Sequence, residues 1–112
     1  MSDDDVPKDA IKDVLVRARS LVRDKWIKNF YFTYPGDDIE RDEPQGCCAM
    51  GAVAWVLTQD GEDEAGDLGK EAEYCLMAEL PSGFRSVESY NDAPSTTREE
   101  VLALFDRAIG RL

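Results

Sequence analysis

Two short stretches hold the residue types able to do chemistry. The first is Cys47-Cys48, at the head of the longest apolar run, GCCAMGAVAWVL over 46–57. A thiolate opening a helix there would be stabilised by the helix dipole, but a catalytic cysteine also needs a base beside it. The second is Asn91-Asp92, preceded by Tyr90. Such a pair either bonds to nearby backbone and sets a turn, or forms a binding loop with Tyr90 as its aromatic contact. A further role for Asp92 is to accept hydrogen bonds from the open N–H groups at the start of the helix near Cys48. The chain has no histidine, which removes Cys-His and Ser-His nucleophiles and the usual zinc ligands. Asp37, Asp38, Glu40, Asp42 and Glu43 crowd one connection. Carboxylates at that density hold calcium when spaced as D-x-D-x-D-G, and this spacing is absent. No metal and no cofactor is expected. The structural reading prevails for each stretch: buried filler for the cysteines, a turn for Asn91-Asp92, a solvated face for the acids.

The apolar run is the element around which the others must be arranged. Its uncharged residues, Cys47 to Leu57, are too few to span a bilayer, which takes about 20. Being apolar nearly all round, it suits a helix enclosed by other elements. Gly51 costs about 1 kcal/mol relative to alanine inside a helix, which a close backbone approach would explain. A buried strand is the rival reading of so short a run; the alanines favour the helix.

Before it, Ile11, Val14, Leu15, Ala18, Leu21 and Val22 recur with a helical period. They predict an amphipathic first helix running to about Lys28, with Trp26 turned toward the core. Phe30 to Tyr34 reads as a short strand stopped by Pro35-Gly36. Its partner would be the stretch around Ile39–Arg41 or the residues leading into Cys47. After the run, Thr58-Gln59-Asp60-Gly61 ends the central helix. A third helix begins at Glu62 to Glu64, ordered from nearer Lys70, with Ala65, Leu68, Ala72, Cys75, Leu76 and Leu80 inward and Pro81 closing it. Ser86 to Ser95 is either a single helical turn or an ordered loop. Thr97 and Glu100 match a capping box, and the frame Thr96 to Glu99 fits equally well. The last helix then shows Val101, Leu102, Phe105, Ala108, Ile109 and Leu112 on one face. The expectation is a mainly α fold: one small domain over 1–112, about four helices around a central buried helix, with at most a short two-stranded ribbon. Residues 1–6 are expected to be a frayed acidic lead-in.

Charge narrows the partners. The net charge is -11, and it is unevenly placed. Residues 29–71 carry eleven acids against Arg41 and Lys70, whereas residues 93–112 balance. Direct nucleic-acid binding needs a basic footprint, and so does an anionic membrane; neither is expected. A basic protein partner, or mimicry of nucleic acid, stays open. The N-terminus MSDDDVPKD is acidic where a secretory signal would be basic, so a cytoplasmic location is expected. Three cysteines, an odd number, suit a reducing compartment.

Trp26, Cys48-Ala49-Met50-Gly51-Ala52, and Tyr90-Asn91-Asp92-Ala93-Pro94-Ser95-Thr96 followed by Glu100-Val101-Leu102-Ala103-Leu104 together resemble DUF6197, a family of small uncharacterised proteins. The resemblance runs from about Ile11 to the end. The family pattern is an N-terminal helix ending near a tryptophan, a C-x-x-G-A helix, and a W-N-D-x-P-x-T element before the last helix. Here Tyr90 stands where tryptophan is usual. No activity comes with the resemblance. It implies an actinobacterial or bacteriophage source, and one shared architecture for Trp26, Cys48, Gly51, Asn91, Asp92, Pro94 and Thr97. From the clustered charge and the lack of a catalytic constellation, the function expected is non-enzymatic: a phage-encoded accessory protein that binds a host protein. Tyr31, Tyr34, Asp37, Asp38, Glu40, Asp42 and Tyr90 would form the contact surface, with the acidic 60–67 connection. The alternatives are a nucleic-acid mimic acting on a host nuclease or defence protein, and a small hydrolase or transferase using Cys48 or Asn91/Asp92.

Overall fold

The computed structural model describes residues 6–29, 32–33, 46–62 and 66–112. It is mainly helical: α1 Lys8–Lys25, β1 Phe32–Thr33, β2 Gly46–Cys47, α2 Ala49–Gln59, α3 Asp67–Met77, α4 Val87–Asp92 and α5 Arg98–Gly110. The expected acidic lead-in and most of the 30–45 connection lie outside the described residues.

The inward stripe of α1 is Ile11, Val14, Leu15, Ala18 and Val22, all buried. The helix stops at Lys25, short of Lys28, because Trp26 turns extended, with ψ of 133°. The Ile27 N–H then bonds to the Cys47 carbonyl at 3.0 Å instead of continuing the helix. Across the chain, β1 pairs antiparallel with β2, Phe32 opposite Cys47 and Thr33 opposite Gly46. Of the two partners open to the sequence, the one leading into Cys47 is the one formed. Gly46 and Cys47 are thus strand, and the central helix begins only at Ala49.

Buried on every turn, α2 packs chiefly on α1, with α3 and α4 also against it; α5 packs on α1 and α3. One hydrophobic cluster joins all five helices, from Ile11 through Leu57 and Leu76 to Phe105. Two local signals set element ends. Gly61, at φ 74°, closes α2: its N–H bonds to Thr58 and that of Glu62 to Leu57, which satisfies the last carbonyls. Thr97 caps α5, its hydroxyl accepting from Glu100 N–H while Glu100 returns a carboxylate to Thr97 N–H. The Thr97 frame is therefore the one used, and Thr96 is buried.

Within α3, Gly66 is the N-cap and Gly69 is buried inside the helix. Ala72 and Leu76 reach the core, while Leu68, Cys75 and Leu80 are partly buried against it. The stretch after Ser86 is a helix of six residues rather than a loop. A second capping box, between Ser86 and Ser89, starts it.

Candidate functional site

The motif residues converge on one buried amide. Asn91 lies on α4, fully buried, on the same face as Val87 and Tyr90. Its Oδ1 accepts from Trp26 Nε1 at 2.6 Å and from the Ala49 N–H at 3.0 Å. Its Nδ2 donates to the Ile27 carbonyl at 3.0 Å and to Asp92 Oδ1 at 2.9 Å. An asparagine amide offers two donor hydrogens and two acceptor lone pairs, and here all four are engaged. The orientation of the amide follows: two N–H donors meet on one side, a carbonyl and a carboxylate on the other.

The acceptor for the first N–H of α2 is Asn91 rather than Asp92, the residue one of the sequence readings offered for it. The helical form of α4 is the reason. It turns Asn91 into the core and leaves Asp92 half-buried, facing the exit of α1, where it accepts the Asn29 N–H at 2.7 Å. Lys28 completes this side. Its Nζ donates to the Ala93 carbonyl at 2.6 Å and the Pro94 carbonyl at 3.3 Å. It also sits 5.6 Å from the centre of the Trp26 ring, within cation–π range.

Cys48 is the N-cap of α2, and its Sγ accepts from the Gly51 N–H at 3.3 Å. Asn91 and Cys48 thus share the open donors at this helix start, the places where serine or aspartate usually serves. Cys48 is only 3% exposed. Burial pushes its pKa up, opposed by the Gly51 and Met50 N–H groups and reinforced by the Asp92 and Glu88 carboxylates. That is the reverse of the electropositive, accessible setting that makes a cysteine nucleophilic. Gly51, also buried, serves the cap through its N–H.

Across the molecule, a groove of about 400 Å³ runs between the start of α1 and α3, lined by Pro7, Ile11, Glu71 and Cys75 among others. Burial first and Glu71 second push the Cys75 thiol up. Among the described residues no group of three or more cysteine, aspartate or glutamate side chains could hold a metal ion. No helix among them is long and apolar enough to cross a membrane.

One hub thus binds Trp26, the cysteine helix and the Asn-Asp element. The DUF6197 model, described as a family of unknown function, matches residues 6–111. The chain belongs to DUF6197. No curated protein and no solved structure matches it. In this DUF6197 chain Trp26, Cys48, Gly51 and Asn91 come together around the start of α2, Asp92 and Pro94 bond to the residues leaving α1, and Thr97 stands apart as the cap of α5.

The expected contact residues fare differently. Tyr90 is 6% exposed, its ring edge-on to Phe84 at 5.0 Å between centroids, so it belongs to the core and not to a contact surface. The reason is again helical: positions 87, 90 and 91 share one face of α4. Tyr31, Tyr34, Asp37, Asp38, Glu40 and Asp42 lie outside the described residues. Of the acidic 60–67 connection, Asp60 is held by Arg17 through two hydrogen bonds, at 2.7 and 3.1 Å, and the guanidinium keeps its carboxyl below the usual range. Sequence reasoning missed Lys28 and Asn29 altogether. Their signal, two polar residues just past the helix end, is too common to single them out.

Proposed function

We propose that this chain is a non-enzymatic accessory domain, phage-encoded, that binds a host protein through the connection between α1 and β2. The observation that carries this reading is the Asn91 hub. It fastens the exit of α1, through Trp26 and Ile27, to the entry of α2, through Ala49. These are the two feet of the connection that carries Tyr31, Tyr34, Asp37, Asp38, Glu40 and Asp42. Binding residues are commonly carried on loops set by a rigid scaffold. The motif polar groups are spent on internal bonds, and the Cys48 thiol is buried and held protonated, so the motif offers no nucleophile with a base at hand.

Charge adds the chemistry of the partner. Arg17, Arg19, Arg23, Arg98, Arg107 and Arg111 all make ion pairs within the chain, against a net charge of -11. The surplus carboxylates favour a basic partner surface. The test is capture from host lysate on the immobilised chain at low salt. A retained protein should elute as salt rises, and should be lost by a variant with Asp37, Asp38, Glu40 and Asp42 changed to their amides, at unchanged melting temperature. No retained protein in repeated trials, or equal retention by the amide variant, would defeat the reading. Elution by DNA would favour mimicry of nucleic acid.

A further inference from the structure

We propose that Asp92 is a positioning residue that holds Asn29 in the left-handed backbone conformation and so sets the direction in which the chain leaves α1. Asn29 has φ of 71°, the non-glycine residue with positive φ among those described. Residues with a Cβ resist that region, asparagine less than most. The Asn29 N–H reaches Asp92 Oδ1 at 2.7 Å, a charge-assisted bond of the stronger kind. The same oxygen accepts from Asn91 Nδ2 at 2.9 Å. The bond to the buried amide thus holds the carboxylate in place toward Asn29.

A neighbouring contact acts alongside. Lys28 donates its ammonium to the carbonyls of Ala93 and Pro94. Two successive residues leaving α1 are latched to three successive residues leaving α4, one by a cation on carbonyls and one by an amide on a carboxylate. Asn29 is exposed and Lys28 and Asp92 only half-buried, so the latch adds little to the core. What it fixes is backbone direction. Beyond it, β1 must meet β2 in the register Phe32 to Cys47. The inference rests on the proposed function only for its consequence, that the direction set here aims the contact residues.

The test needs no partner. Hydrogen exchange is followed by mass spectrometry on the full chain, in peptides covering 32–33 and 46–47. Asp92→Ala should lose protection there about tenfold or more, with α1 and α5 unchanged, and Asp92→Asn should lose less. Asn29→Ala should reproduce the loss, because alanine tolerates the left-handed region poorly, whereas Asn29→Gly should keep protection. If Asn29→Ala and Asn29→Gly exchange alike, or if Asp92→Ala leaves these peptides unchanged, the positioning role is overturned. Should Asp92→Ala fail to fold, the Asn29 pair decides. Failed partner capture with this pattern intact would sink the binding reading alone.

Discussion

At the scale of single residues, Asn91 carries the most. Removing its amide by Asn91→Ala would orphan the buried Ala49 N–H and the half-buried Trp26 indole N–H and Ile27 carbonyl together. Each such loss costs about 1–3 kcal/mol, and losses in one network do not add fully. Denaturant unfolding should show Asn91→Ala less stable by about 3–5 kcal/mol. A loss under about 1 kcal/mol would mean that water or a shifted neighbour replaces the amide. Asn91→Asp should also be costly, since it exchanges two donors for a charge beside Asp92. The Asn-Asp pair was legible in the sequence as a structural element, but the division of labour within it was not. Which member faces inward depends on whether the backbone is loop or helix. The clue was there in Ser86-x-x-Ser89, with Val87, Tyr90 and Asn91 at spacings of three and four. Six residues are too few for a periodicity to stand out against a loop rich in Asn, Asp and Pro. Tyr90 was misplaced for the same reason.

Among the elements, the ends were easier to read than the joints. Gly61 and Thr97 announce helix boundaries through conformations and bonds that few other residues supply. Thr97→Ala should cost about 1 kcal/mol. Gly61→Ala should cost about 1–2 kcal/mol, because φ is 74° there although nothing lies within 4 Å of an added methyl. For a chain of this size each should lower the thermal midpoint by about 3–8 °C, readable by circular dichroism. No change for Gly61→Ala would mean that the Leu57 and Thr58 carbonyls are satisfied without the left-handed turn. The amphipathic stripe of α1 and the buried α2 were likewise legible, since a repeated apolar spacing reports directly on burial. The joint between them was not. Trp26 ends α1 by meeting Cys47, a residue 21 positions on. Nothing local distinguishes Gly46-Cys47 as strand from the first turn of the helix that follows.

For the molecule as a whole, charge and topology act together. The chain has 24 acids against 13 bases, so most of the excess charge has no opposite charge to meet within the chain. Most ion pairs among the described residues lie at the surface, where each contributes little; the exception is Glu79, a side chain only 8% exposed that faces Arg107 and Arg111. Self-repulsion should therefore outweigh them, and the melting temperature should rise as sodium chloride goes from about 10 mM to about 500 mM. A fall would mean that pairs such as Arg17 with Asp13 and Asp60 dominate instead. In this chain Trp26, Cys48 and Asn91 build the fold, and the cysteine is a helix cap rather than a site. Thiol alkylation at neutral pH, mapped by peptide sequencing to separate Cys48 from Cys47 and Cys75, tests this most directly. Cys48 should label no faster than the chain unfolds, and its labelling should rise with denaturant along the global transition. Rapid, selective labelling of Cys48 in the native protein would contradict the account, because a thiol open to reagent would be a site rather than a cap.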